Sequence, residues 1–326
     1  MQNIVIIGAG AIGTALGNAL AVRADLNVTL LSIEKEVVDS ISRFHINQKY
    51  FPNIRLESRL NATLDNNVLQ HAEIVFIAVP SSVIIKYLTE IKPYIPANAV
   101  LINLAKGFGF EKRLIPDCLS EMFPFNKVCV LKGPSFAREI INNSPTAFTL
   151  AAKEIDTCDA LEPLFENTIL FVDKSVDVVG VEVLSLLKNI YAILIGIVDA
   201  HFDTANLRFM MFTRAFSEMR TLLKHFGGKE ETMFNYCGIG DFGLTSLNDL
   251  SRNRTLGLLI GKGFFTETIS NKVVLEGRVA MRIMLEKLKE TRFPENEYRM
   301  MIQLDKVFTG VNDISGFVDK LINNRD

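Results

Sequence analysis

The sequence predicts an α/β fold: a doubly wound, mostly parallel sheet joined to a second, all-helical domain. Three observations carry that reading. The chain opens on a strand, a glycine-rich turn and a helix. Apolar strand-like runs then alternate with helical patterns, and beyond about residue 178 the pattern is helical throughout.

Residues 3–7 read as a short strand buried on both faces, since the run after Asn3 is continuously apolar. Gly8, Gly10 and Gly13 follow with the spacing G-x-G-x-x-G, opening an alanine- and leucine-rich helix that reaches about residue 22. A second strand, 28–31, ends just before Glu34, about twenty residues beyond Gly13. That order is the context of a Rossmann-like dinucleotide fingerprint. Gly8 makes the tight turn, Gly10 lets backbone approach a pyrophosphate, and Gly13 lets helix and sheet pack closely. The helix N-terminus adds N–H groups and partial positive charge. An acid placed as Glu34 is accepts hydrogen bonds from a ribose 2′-hydroxyl and repels a 2′-phosphate. Lys35, beside it, can swing toward a 2′-phosphate and partly cancel that charge, or stand as a solvated lysine at the start of the following helix. The competing reading is a tight turn that binds nothing.

The later elements follow in order. Residues 34–72 are mixed, with a helix at 37–44 and a loop at 45–53. Residues 73–79 form a buried strand that Pro80 stops, and a serine at 81 or 82 can cap the helix 83–91. Strand 100–104, helix 111–122, strand 128–131, the alternating strand 146–151 and strand 169–172 complete the sheet. Helices are expected at 183–198, 208–224, 256–260 and 273–288. The boundary falls between 173 and 182, which divides the chain into a dinucleotide-binding domain, 1–178, and a helical substrate-binding and catalytic domain, 179–326.

With 326 residues, 48% of them apolar, the chain can bury two cores of ordinary size. A formal net charge of −2 and the lack of a long basic block point away from nucleic acid. Cys118, Cys129, Cys158 and Cys237 are too scattered for a metal site or a disulfide framework, as suits a reducing compartment. No metal is expected. The first strand begins at once, with no room for a leader, and the longest apolar stretch, 190–198, is too short to span a bilayer. The expectation is a cytoplasmic protein with no stable membrane insertion.

Several residues can carry chemistry. Lys188 and Asn189 interrupt a helix that is otherwise apolar nearly all round. A cation there must be paired, snorkelled or useful as a proton donor with a lowered pKa. Lys106 closes a strand at the carboxyl edge where open sheets bind ligands. Asp241 sits within the glycine-rich stretch 238–245, placed to pair with Lys188. Ser251, Arg252 and Asn253 combine a helix cap, a guanidinium fork and an amide, a plausible phosphate site. Each has a plainer reading as a wet-edge lysine, a surface loop, a glycine turn or a solvated helix start.

These signals coincide in one family. The chain resembles bacterial-type NAD(P)-dependent glycerol-3-phosphate dehydrogenases over essentially its whole length. The resemblance rests on GAGAIGTALG at the start, NQKYFPNIRL near 47–56, AVPSS at 78–82, NLAKG at 103–107 and KGPSFARE at 132–139. It continues through DVVGVEVLSLLKN at 177–189, TRAFSEM at 213–219, GIGDFGLT at 238–245, SRNRTLG at 251–257 and VLEG at 274–277. It implies a Rossmann-like domain, a helical domain, NAD or NADP as cofactor, a small phosphorylated substrate and usually a homodimer. The implied reaction interconverts dihydroxyacetone phosphate and sn-glycerol 3-phosphate, for phospholipid synthesis. By position it makes Lys188 the catalytic lysine, Asp241 the acid beside it, and Lys106 a second lysine near carbonyl and cofactor. Gly133 and Ser135 match a loop meeting the substrate, and Ala137 that loop's contact to cofactor. Ser251, Arg252 and Asn253 match the phosphate-holding segment, with Arg252 also near the cofactor. Ala11 and Ile12 stand over the pyrophosphate, and Glu276 matches a nucleotide contact.

The chain departs from the family in places. Ala11-Ile12 replaces a common Ser-Trp pair, and Leu184-Ser185-Leu186 replaces Gly-Gly-Ala before the lysine. Thr204-Ala205 stands where Gly-Asp is usual, and Asn235-Tyr236-Cys237 where Gly-Leu-Ala is usual. Two other readings therefore stand beside the leading one: a dehydrogenase of another small phosphorylated hydroxy compound, and a non-catalytic nucleotide-sensing paralogue.

Overall fold

The structure, a computed structural model, describes residues 1–264, 276–311 and 313–323. The chain divides into two compact units, Met1–Val178 and Val179–Asp326.

The first unit is built on one sheet of eight strands in the order β3-β2-β1-β4-β5-β6-β7-β8. These are β1 (Gln2–Ile7), β2 (Leu26–Leu31), β3 (Asn61–Thr63), β4 (Ile74–Ile77), β5 (Val100–Asn103), β6 (Val128–Lys132), β7 (Thr146–Ala152) and β8 (Leu170–Ser175). Every pairing is parallel except β6 with β7. Continuous apolar strands follow from burial on both faces. Ile4 and Ile6 enter one core with Val28, Leu30 and Phe76, while Val5 and Ile7 enter another with Val75, Ile77 and Leu101. The first core is closed by α1 (Ala11–Ala21), α2 (Lys35–Phe44), α5 (Ala137–Ile141) and α6 (Ile155–Leu161). The second is closed by α3 (Ser81–Ile91) and α4 (Ile115–Met122).

Three local expectations are corrected. Strand β3 lies inside the stretch read as mixed. The expected helix 111–122 begins at Ile115 instead, because Glu111 and Lys112 take positive φ and Pro116 fits the first turn of a helix. The N-cap of α3 is Pro80, with no side-chain cap bond, so neither serine caps it.

In the second unit the described helices are α7 (Val178–Phe202), α8 (Ala205–His225), α9 (Asp241–Leu247), α10 (Arg252–Gly261), α11 (Glu276–Glu290), α12 (Arg299–Phe308) and α13 (Ile314–Asn323). Helix α7 is 25 residues long, well beyond the apolar run 190–198, and by length and composition alone it could cross a membrane. Its apolar window is wholly buried in the fold, so its composition is that of a core helix. Leu184, Ser185 and Leu186, the departure before Lys188, are all part of that buried core. The four cysteines are buried and free of disulfides.

Candidate active site

The glycine turn of the first unit has the backbone its sequence requires. Gly8 adopts φ +107°, and a Cβ there would meet the Ala78 carbonyl oxygen at 2.8 Å. A Cβ on Gly13 would stand 2.0 Å from the Gly8 oxygen, so only glycine lets α1 close on the turn. Gly10 is the N-cap of α1 and no side chain caps that helix start. Ala11 and Ile12 form its first, half-buried turn. An uncapped helix N-terminus over a tight glycine turn suits the pyrophosphate of a dinucleotide. The turn is held from the loop 45–53, to which the sequence assigned no role at the glycine turn. Asn47, wholly buried, donates to the Ala9 carbonyl at 3.0 Å and to Thr14 Oγ1 at 2.8 Å.

Glu34 is the N-cap residue of α2, at the end of β2. Its carboxylate is ion-paired with Lys49 and accepts from the Tyr50 hydroxyl at 3.3 Å. The cation on Glu34 is therefore Lys49, because the loop 45–53 folds back to the strand end. Hydrogen bonding to Glu34 raises the Lys49 ammonium, which stays charged.

At the carboxyl ends of β5 and β6 the loops are braced by their own residues. Ala105 N donates to Asn103 Oδ1 at 3.0 Å, and buried Lys132 donates to the Ala105 carbonyl, so the backbone before half-buried Lys106 is fixed. Gly133 is required by the sheet, since a Cβ there would lie 2.5 Å from the Ala147 oxygen on β7. Ser135 donates its hydroxyl to the Gly133 carbonyl at 2.9 Å. Ala137 opens α5 and packs against the first core.

In the second unit, Lys188 and Asp241 come together. Nζ lies 2.5 Å from Asp241 Oδ1 and donates to Thr245 Oγ1 at 2.9 Å, with Lys188 4% and Asp241 1% exposed. Asp241 begins α9 immediately after the π-helical turn Tyr236–Gly240, in which a Cβ on Gly238 would meet the Met233 oxygen at 2.1 Å. The glycines thus seat the carboxylate where the lysine of α7 reaches it.

Ser251 caps α10, its Oγ accepting from Arg254 N at 3.3 Å. Asn253 donates from Nδ2 to Asn189 Oδ1 at 3.0 Å, linking α10 to the residue beside Lys188. Arg252 is exposed and makes no hydrogen bond or ion pair with the described residues. The side chain of Glu276 lies outside the described residues, as do residues 265–275. Among the described residues no group of three or more His, Cys, Asp or Glu could hold a metal.

Residues 3–158 match the family described as NAD-dependent glycerol-3-phosphate dehydrogenase N-terminus, and residues 177–319 match its C-terminus. A relative named glycerol-3-phosphate dehydrogenase (NAD(P)+) from Bacillus velezensis is 31% identical over 96% of this chain and 94% of its own. A relative of the same name from Geobacter sulfurreducens is 36% identical over 80% of this chain and 79% of its own. The crystal structure of glycerol-3-phosphate dehydrogenase from Coxiella burnetii superposes with a TM-score of 0.88 at 30% identity, covering 98% of each chain.

Proposed function

The chain belongs to the NAD-dependent glycerol-3-phosphate dehydrogenase family, and on that premise we propose how its residues divide the work. The enzyme interconverts dihydroxyacetone phosphate and sn-glycerol 3-phosphate by NAD(P)-dependent hydride transfer. The observation that carries the assignment of roles is the buried Lys188–Asp241–Thr245 cluster, a proton donor held by one acid and one hydroxyl.

When bound, the nicotinamide cofactor supplies the hydride, at its C4. Lys188 gives a proton to the oxygen forming at substrate C2, and takes it back in the reverse direction. Asp241 and Thr245 keep Nζ aimed. Lys106 stabilises the negative charge that develops on that oxygen. Arg252 and Asn253 clamp the phosphate, so binding energy remote from the carbonyl orients it. Ser251 fixes the helix start that carries the clamp. Gly133 and Ser135 meet the substrate, while Gly8, Gly10, Ala11, Ile12, Gly13, Glu34, Ala137 and Glu276 serve the dinucleotide, with Lys106 and Arg252 touching both molecules. A cytoplasmic homodimer feeding phospholipid synthesis completes the reading.

Retention of Lys106, Lys188, Asp241, Arg252 and Asn253 together favours an enzyme over a nucleotide sensor, which needs no proton donor. The test is an absorbance assay of NADH and NADPH oxidation with dihydroxyacetone phosphate and a panel of other small ketose phosphates. Turnover should be highest with dihydroxyacetone phosphate. Strong turnover of another compound with little on this one would overturn the substrate assignment.

A further inference from the structure

One guanidinium grips the segments of the second unit that carry Lys188, Asp241 and the Arg252–Asn253 pair. Arg254, 6% exposed, donates from Nη1 to Asp199 Oδ2 at 2.6 Å and to the Ser246 carbonyl at 2.9 Å. Its Nε donates to Asp249 Oδ1 at 3.0 Å. Asp199 lies on α7, about three turns beyond Lys188. Ser246 lies on α9, which begins at Asp241, and Asp249 follows that helix. Arg254 itself is on α10, next to Asn253 and two positions from Arg252.

Around this hub the helices approach closely. A Cβ on Gly196 of α7 would stand 2.4 Å from the Arg254 carbonyl oxygen, and one on Gly257 of α10 would stand 2.1 Å from the Ile193 oxygen. Apolar helix packing tolerates small slides, whereas a planar fork bonded to three acceptors fixes position along and across the helices. Arg208 Nε donates to the same Asp199 Oδ2 at 2.7 Å.

We propose that Arg254 is a positioning residue that sets the separation between the Lys188–Asp241 proton-transfer pair and the Arg252–Asn253 phosphate clamp. This rests on the roles proposed above. It matches the second unit to a substrate in which carbonyl and phosphate are a fixed, short distance apart. Arg254 bonds to neither reacting group, so it acts through the residues it holds.

The test compares Arg254→Ala, Arg254→Lys, Arg252→Ala and the double variant R252A/R254A on dihydroxyacetone phosphate and on dihydroxyacetone, which lacks the phosphate. With the phosphorylated substrate, R254A should lower kcat/KM by about 10²-fold, the loss typical of a misplaced reacting group. With dihydroxyacetone, which the clamp does not hold, the loss should be small. The double variant should lose no more than about the larger single loss, since both act on one clamp. Arg254→Lys keeps the charge without the fork, so it should fold and show the same dependence on phosphate; it carries the comparison if R254A does not fold. Equal losses on both substrates, or additive losses, would make Arg254 a purely structural residue and overturn the proposal. Absence of wild-type turnover on dihydroxyacetone phosphate would instead overturn the functional reading on which it rests.

Discussion

Lys188 Nζ stands 2.5 Å from Asp241 Oδ1, although the two residues belong to different helices, and scarcely any of either side chain reaches solvent. A buried ion pair of this kind is weak evidence for stability, because desolvation offsets much of the attraction. Its place in a mostly apolar buried helix points to use of the ammonium.

Asp241→Asn tests that use. It preserves shape while leaving the Lys188 cation buried without its counter-charge, a change that typically costs about 3–5 kcal/mol. Urea unfolding should show a loss of that order, and kcat should fall steeply. Wild-type kcat in D241N would remove Asp241 from the mechanism.

Arg252→Ala should act on the substrate and not on the fold. The side chain is exposed and makes no hydrogen bond or ion pair with the described residues, so stability should change by no more than about 0.5 kcal/mol. KM for dihydroxyacetone phosphate should rise at least about tenfold, as charge-assisted phosphate contacts are lost. Unchanged KM would place the phosphate elsewhere.

Cofactor choice is predicted to depend on Glu34 and Lys49. The carboxylate favours a ribose 2′-hydroxyl, and the Lys49 ammonium paired with it makes a 2′-phosphate tolerable. NADH should be preferred or the two used comparably. Glu34→Ala should move kcat/KM toward NADPH and Lys49→Ala toward NADH. A strong wild-type preference for NADPH that E34A leaves unchanged would contradict this assignment.

Glu218 gives the fold a pH dependence. Its carboxylate accepts from Tyr191 Oη at 2.6 Å and from the backbone N–H of Met300 at 2.9 Å and of Met301 at 3.0 Å, tying α7 and α12 to α8. Burial pushes this carboxyl up from 4.5 to about 7, and the three donors only partly counter it. Within that window the folded chain holds a proton that the unfolded chain has released. Glu218 therefore favours the fold most at low pH, and its contribution declines as pH rises from about 4.5 through about 7. Thermal melts across that range should show a smaller decline in Glu218→Gln than in wild type. An identical slope in both would assign the proton to another group.

Much of the fold was legible because it rests on local rules. The run 3–7, the glycine spacing and the return at 28–31 each follow from burial or backbone geometry, and they appear as β1, the Gly8 turn and β2. Strand β3 was not legible, since Asn61–Thr63 is three residues long and has no hydrophobic signal; only its pairing with β2 makes it a strand. Lys188 stood out because a cation in an apolar helix demands a partner. Thr245 did not, since a threonine in a short helix looks ordinary until Nζ is seen on its hydroxyl. Asn47 and Lys49 lie in a loop whose return to the glycine turn and to Glu34 is a tertiary fact with no sequence period.

The most direct measurement is turnover of Lys188→Ala on dihydroxyacetone phosphate, beside cofactor binding measured by nicotinamide fluorescence. Loss of a general acid typically lowers turnover about 10²- to 10⁴-fold. The predicted result is a loss in that range, with cofactor affinity within about twofold of wild type and an intact fold by circular dichroism. A folded K188A enzyme that keeps more than about a tenth of wild-type turnover would contradict the assignment of the proton to Lys188.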